Sequence, residues 1–301
     1  MKGYKATDEN MCCRGFQYEI GKTYKMKGIP KFYGNGFRFC EKLIAIDDYY
    51  ELSTSRVFEL EAKGEIQSFM FKSCTNEIKF IRELSKEEII KLANKSVNDE
   101  NAYIRMTLAK SKLALPKTLE NLSKDEDASV RGGVAENLNV NKKILNKLSE
   151  DKNSSVRYSV AKNKNTSKEA LECLSQETLD DIRYSVARNA NTNKKSLNRL
   201  SEDENLFVRG YVANNQKTSK KTLKKLSKDE DSFVRNIVAS NPNTSKEVLK
   251  HLSHDDDWYV RCLVAASLNT ADIVLKEMCQ DEHLSVQKAA KNTLKIKKIN
   301  L

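Results

Sequence analysis

The chain has 301 residues and carries 53 Lys and Arg against 42 Asp and Glu, a formal charge of +11. No run approaches the roughly 20 apolar residues of a membrane-spanning helix, and the start, MKGYKATDEN, lacks the apolar core of a secretion signal. A cytoplasmic protein without membrane contact is therefore expected, and seven cysteines with no C-x-x-C pair argue for reduced thiols over a disulfide framework.

Residues 1–83 are nearly balanced in charge, so most of the positive excess falls on the remainder. They hold seven of the ten glycines. Two alternating runs, Arg56-Val57-Phe58-Glu59-Leu60-Glu61-Ala62 and Glu77-Ile78-Lys79-Phe80-Ile81, read as strands. Gly34-Asn35-Gly36 marks a turn, and LIAIDDYYEL (43–52) reads as a helix. A small α+β domain with a mostly antiparallel sheet is predicted. Cys12, Cys13, Cys40 and Cys74 are the right number for a zinc or iron–sulfur site, but without C-x-x-C spacing they fit buried thiols better. His251, His254 and His283 fall at repeat turns or ends and offer no Ser-His-Asp or Cys-His arrangement. There is no phosphate-binding loop and no dinucleotide fingerprint. No catalytic residue, metal or cofactor is assigned.

From residue 84 onward a different texture begins. A phrase of 26 residues recurs: hydrophobic-Arg-x-x-Val-Ala, an Asn, a Thr, Leu-x-x-Leu-Ser, then an acid. Its arginines are Arg105, Arg131, Arg157, Arg183, Arg209, Arg235 and Arg261, with Gln287 in the eighth slot. Such a strict period predicts a solenoid, each unit burying its apolar face against its neighbours. In the unit that opens near Asp180, Ile182, Val186 and Ala187 have helical spacing, and Leu197 with Leu200 gives a second helix its core stripe. The Asn slot (Asn137, Asn163, Asn189, Asn215, Asn241) reads as a ladder of C-caps, because Asn tolerates the left-handed conformation. Thr166 with Glu169, and Thr244 with Glu247, have capping-box spacing, as does Ser85 with Glu88 at the front of the array. Helices of roughly 8–10 residues would be unstable alone. An acid stands six residues before most of the arginines (Asp125, Asp151, Asp203, Asp229, Asp255, with Glu177 before Arg183). That supplies each Arg with a partner in its own or the next unit, in preference to phosphate.

The segment VRYSVAKNKNTSKEALECLSQE resembles the leucine-rich repeat variant, and the D-x-x-x-x-V-R portion resembles HEAT repeats. The likeness covers about residues 99–287; Ser stands where Ala often precedes the acid, and Lys where Pro often opens the second helix. It implies an α-solenoid, a right-handed superhelix of 26-residue two-helix repeats over 84–301, behind the small α+β domain of 1–83. It implies an interaction scaffold and no catalytic residue. At the front, CRGFQYEIGKTY, GFRFCE and DDYY resemble a small module that precedes repeat arrays in phage and Firmicute proteins, with no activity attached. Arg14-Gly15, Gly36-Phe37-x-Phe39 and the Glu59/Glu61 pair resemble elements of ADP-ribosyltransferases, although Ser53-Thr54-Ser55 is displaced from that family's pattern.

Two surfaces of the array stand out. One interleaves aromatic residues with cations on the Arg helix: Tyr158, Lys162, Tyr184, Arg188, Phe207, Tyr211, Phe233 and Tyr259, with Tyr103 in the same slot as Phe207. Such residues anchor protein partners or pack between units. Gly132-Gly133 and Gly210 interrupt this face, which suggests close approach by a neighbour. The other is a lysine edge in the first turn of the second helix: Lys142, Lys143, Lys168, Lys194, Lys195, Lys220, Lys221 and Lys246. The helix dipole disfavours cations there, so their repetition hints at a polyanion. The leading expectation is a non-enzymatic scaffold for a macromolecular partner, first of all a protein, in a phage or mobile-element setting. Nucleic-acid binding along the lysine edge comes second, and an ADP-ribosyltransferase-like front domain third. No small-molecule ligand is expected.

Overall fold

A computed structural model describes residues 1–13, 15–32 and 34–299, which divide into two compact units, Met1–Ile144 and Leu145–Leu301. Arg14 lies outside the described residues.

The first unit opens with seven strands: β1 (Lys2–Thr7), β2 (Cys12–Cys13), β3 (Phe16–Gln17), β4 (Thr23–Lys25), β5 (Phe37–Cys40), β6 (Arg56–Phe69) and β7 (Lys72–Glu83). The alternation read in the sequence selects the core. Phe58, Leu60 and Ala62 of β6 and Ile78 and Phe80 of β7 turn inward and are at most 1% exposed, joined by Tyr18, Phe37 and Phe39. Every pairing is antiparallel. Strand β6 pairs with β1 on one side and β7 on the other, β7 pairs with β5, and β5 returns to β1 at Tyr4 and Cys40. The sheet thus closes on itself as a small barrel, with β4 added along β7. Closure removes open strand edges, and two register shifts in β6 supply bends that help it. The expected helix over 43–52 is a short 3-10 helix, Leu43–Asp48, whose first four residues are buried. The predicted strand runs are contained in β6 and β7, but the hairpin extends seven residues past Ala62 on a mostly exposed ribbon, where the alternation fades.

Helices α1 (Lys86–Asn94), α2 (Ala102–Lys110), α3 (Pro116–Leu122) and α4 (Ala128–Glu136) complete this unit. Ser85 and Glu88 form the expected capping box at α1. The barrel seats on α2: Tyr103 stacks on Phe71 with ring centroids 5.3 Å apart and an interplanar angle of 5°, and its hydroxyl donates to Asp48 at 2.9 Å. Lys42 pairs with Asp99 beside it.

Helix α5 (Lys142–Leu148) leads into the second unit. There the Arg-bearing helices are α6 (Ser154–Lys162), α8 (Asp180–Arg188), α10 (Leu206–Asn214), α12 (Ser232–Ser240) and α14 (Trp258–Ala266). They alternate with shorter ones, α7 (Lys168–Leu174), α9 (Lys194–Leu200), α11 (Lys220–Leu226), α13 (Lys246–Leu252) and α15 (Asp272–Met278), and the stack ends on the long α16 (Leu284–Ile299). At nine and seven residues these helices cannot stand alone. Their stability comes from Val186, Ala187, Leu197 and their counterparts, which are wholly buried between units.

Hydrogen bonds also fasten the units to one another. Arg183 directs Nε and Nη2 to the Asp203 carboxylate at 2.6 and 3.0 Å, and Nη1 to the carbonyls of Glu177 and Thr178 at 2.9 and 2.7 Å. A further bond from Nη2 to Glu204 uses the last of the five guanidinium donors. Arg209, Arg235 and Arg261 repeat this pattern toward Asp229, Asp255 and Asp281, Arg157 toward Glu177, and in the first unit Arg105 toward Asp125. Each of these arginines takes a backbone carbonyl from the acid six residues before it and the carboxylate of the acid twenty residues after it. The guanidinium groups grip their own chain, as the paired acids suggested. Burial would raise the Asp125 and Asp281 carboxyls, but hydrogen bonds from Arg105 and Arg261 hold both below the ordinary value. In the eighth slot Gln287 keeps only the carbonyl bond, to Asp281 at 2.7 Å, and the charged ladder stops.

The Asn and Thr ladders act differently from the sequence reading. Asn189 stands at the C-cap of its helix as expected, but with φ −69° and ψ 127°, an extended conformation and not the left-handed one. Its buried amide instead donates to the carbonyls of Ala161 and Asn163 in the preceding unit, while its oxygen accepts from the Asn191 N–H. Asn215 does the same toward Ala187 and Asn189. The caps of the second helices are not Thr166 and Thr244 but the residues after them, Ser167 and Ser245. The threonine hydroxyls turn back to the carbonyls of Val160 and Val238, each at 2.6 Å. Asn and Thr are thus retained for bonds that hold one turn to another, which a reading of single helices does not reveal.

Candidate functional site

The Arg helices pack closely on one another, with one ridge of side chains left at the surface. Two residues before the Arg lie Phe207, Phe233 and Tyr259, exposed by 54%, 38% and 48%. Their backbone N–H groups bond the N-cap side chains Asn205, Asp231 and Asp257, which fixes where each ring leaves its helix. Phe207 and Phe233 meet edge to face at 5.7 Å across adjacent units. Tyr259 touches Trp258, which stacks on His283 at 4.0 Å. Trp258 was not singled out in the sequence, although it is the chain's one tryptophan and directly precedes the stripe.

The remaining members form smaller groups. Tyr184 and Tyr211 lie 4.3 Å apart, both half-buried, and hydrogen bonding of the Tyr184 hydroxyl to Tyr211 raises its pKa above the ordinary value. Lys162 sits 5.1 Å over the Tyr158 ring. Arg188 is exposed. Tyr184–Tyr211 and Phe207–Phe233 thus pack between units, and Lys162–Tyr158 pairs within one helix. Gly210 belongs to the packing: a methyl group there would come within 2.7 Å of the Phe233 ring. Gly133 likewise admits Ala109 of α2, at 3.1 Å from where its Cβ would stand.

Lys142, Lys143, Lys168, Lys194, Lys195, Lys220, Lys221 and Lys246 are all exposed in the first turns of their helices. Lys195 pairs with Glu172 at 2.5 Å. Lys168, Lys194, Lys220, Lys221 and Lys246 have no ion pair among the described residues. Acids share the edge, including Glu172 and Glu247.

In the first unit, Cys12 and Cys13 are half-buried and Cys40 and Cys74 buried, all free; burial pushes the Cys40 thiol up to about 11. No group of three or more His, Cys, Asp or Glu side chains among the described residues is placed to hold a metal ion. Glu59 is engaged by Lys2 at 2.8 Å and Arg82 at 3.1 Å, so the Glu59/Glu61 pair does not present a free carboxylate at that position. The barrel also encloses an open cavity of about 1270 Å³, absent from the sequence reading because its lining residues come from segments spread between Tyr4 and Lys72.

These features define the class: an α-solenoid of two-helix repeats behind a small β-barrel domain. Residues 1–92 match a family described as a domain of unknown function (DUF7666). Among solved structures, the chain is similar to "a leucine-rich repeat variant with a novel repetitive protein structural motif", with 25% identity and a TM-score of 0.54, over 69% of this chain and 82% of that one. A subcomplex of S. pombe condensin, Cnd3-Cnd2, matches at 20% identity and a TM-score of 0.33, over 69% of this chain and 28% of that one. An engineered protein matches at 15% identity and a TM-score of 0.31, over 68% and 67%. No curated protein matches the chain. No helix among the described residues is long and apolar enough to cross a membrane.

Proposed function

We propose that the array is a binding scaffold without chemistry of its own, and that its aromatic row takes a protein partner. The observation that carries this reading is Tyr103. In the first repeat that slot already holds folded polypeptide, through the ring stack on Phe71 and the hydrogen bond to Asp48. Phe207, Phe233 and Tyr259 occupy the same slot in later repeats and are 38% to 54% exposed. Large aromatic side chains set in a fixed frame lose little entropy on contact and dominate protein interfaces. A cytoplasmic location belongs to this proposal on the sequence patterning, and a phage or mobile-element setting is supported by the likeness of the front module alone.

The lysine edge supports a second reading, a polyanion laid along Lys168, Lys194, Lys220 and Lys246. Capture from a native-host extract separates the two. The full chain and a Lys168→Glu/Lys194→Glu/Lys220→Glu variant should retain the same protein, whereas Phe207→Asp/Tyr259→Asp should lose it. Capture that survives the aromatic changes but disappears with the lysine changes, or on nuclease treatment, would transfer the function to the lysine edge. Its binding should then fall steeply with salt.

A further inference from the structure

The cavity of the barrel has a composition unlike the rest of the surface. Its volume of about 1270 Å³ exceeds the roughly 300–1,000 Å³ of ordinary small-molecule pockets, and it opens to solvent. One wall is a continuous aromatic cluster: Phe16 lies 4.9 Å from Tyr18, 5.3 Å from Tyr24 and 5.7 Å from Phe37. Such a wall offers ring faces and edges to a flat guest.

The polar lining has one sign. Lys5, Lys25, Arg38 and Lys72 contribute to it, and no Asp or Glu among the described residues does. Lys25 is neutralised from outside by Glu77 at 3.1 Å. Lys72 lies 3.7 Å over the Tyr49 ring, and Arg38 donates Nε to the Phe32 carbonyl at 2.8 Å. Lys5 is the most unusual of the four. Only 8% exposed, its ammonium donates to the Arg38 carbonyl at 2.7 Å and lies 5.5 Å from the Tyr18 ring. It has no carboxylate partner among the described residues. A buried cation without a carboxylate is costly; hydrogen bonding to the Cys13 side chain offsets part of that cost, and proton loss or a negative guest would remove the rest. Burial accordingly lowers the Lys5 amine below its ordinary value.

We infer that this cavity binds a small planar aromatic anion, its ring against the Phe16–Tyr24–Phe37 wall and its acid group toward Lys5 and Arg38. The site is separate from the aromatic row of the array and does not depend on the scaffold reading.

Fluorescence titration of the full chain with 8-anilinonaphthalene-1-sulfonate tests it, with uncharged N-phenyl-1-naphthylamine as the comparison. The sulfonate should bind saturably, with one site per chain, at least tenfold tighter than the neutral dye. Lys5→Met should erase most of that preference. Because that variant replaces a buried group, its fold is checked by circular dichroism, and Lys72→Met, a second lining cation whose charge, like that of Lys5, is felt at Cys40, supplies an independent loss of several-fold. Competition by 1-naphthoate and 1-naphthyl phosphate then tells whether a carboxylate or a phosphate suits the site better. Equal binding of the two dyes would overturn the inference. So would sulfonate affinity unchanged in both lysine variants, or a signal abolished by Phe233→Ala, which would place the dye on the array.

Discussion

The barrel and the array solve the same problem, holding short elements in place, in opposite ways. In the barrel the decisive bonds join distant parts of the chain: β1, at the N-terminus, pairs with residues 56–61 of β6, and the Met1 amino group bonds the Ala62 carbonyl. In the array the same few bonds recur from side chains to carboxylates 20 residues on and to carbonyls 28 residues back. Damage should therefore spread through the barrel as a whole but stay near its origin in the array, where stability is a sum of neighbour terms.

The largest effects test this directly. Phe58 is fully buried at the centre of the barrel core, and Phe58→Ala should cost about 3–5 kcal/mol. Hydrogen exchange should then rise in β1, β5, β6 and β7 together. Arg209→Ala leaves the Asp229 carboxylate, 6% exposed, without its ion pair, and should also cost about 3–5 kcal/mol. Here exchange should rise around α10 to α12 while the barrel amides keep their protection. A uniform rise in both variants would mean that the chain unfolds as one unit and that the contrast between the regions is false.

How much of this was legible in the sequence follows from the same contrast. The period exposed the repeat, its two helices, its core and the purpose of its arginines, because every unit restates the others. The capping position of Asn189 is legible, but its bonds to the preceding unit and the backward turn of the Thr166 hydroxyl are not: their partners lie in another turn of the chain, and the identity of a buried carbonyl leaves no mark on composition. In the barrel, the alternation of Phe58, Leu60 and Ala62 revealed strands, but nothing local to them announces closure through Tyr4 and Cys40. The cavity was invisible for that reason. Trp258 was missed because it stands one residue outside the slot that repeats.

Intermediate effects come from the neutral ladder. Asn189→Ala strips hydrogen bonds from two carbonyls and one N–H in a buried setting, for about 1–3 kcal/mol in a denaturant melt. An equal loss on Asn189→Asp would show that the amide donors are what matter, since Asp can keep only the acceptor. If Asn189→Ala proves neutral, helix termination alone accounts for the residue.

Acid should weaken the ladder in a defined direction. The Asp125 and Asp281 carboxyls titrate below the ordinary 3.8 when folded. A carboxyl with a depressed folded pKa stabilises the fold fully above its unfolded value and loses that contribution as pH falls through the folded one. Stability measured from pH 6 downward should therefore hold to about pH 5 and decline below the ordinary carboxylate value. The decline should shrink in Arg105→Met/Asp125→Leu, which removes the pair together. An unchanged acid profile in that variant would mean that other groups set the acid limit.

The smallest effect probes how closely the units fit. Ala is favoured over Gly inside a helix by about 1 kcal/mol, yet a Cβ at Gly210 would stand 2.7 Å from the Phe233 ring and 3.1 Å from Ile237. The ring must swing out to admit it, and its contact with Phe207 must loosen. Gly210→Ala should accordingly be neutral or mildly destabilising in the native chain, and stabilising in a Phe233→Ala background. A coupling of about 0.5–1 kcal/mol in that double-mutant cycle is expected. Its absence would mean that Phe233 does not occupy the space the glycine leaves, and that the aromatic row owes its position to the caps alone.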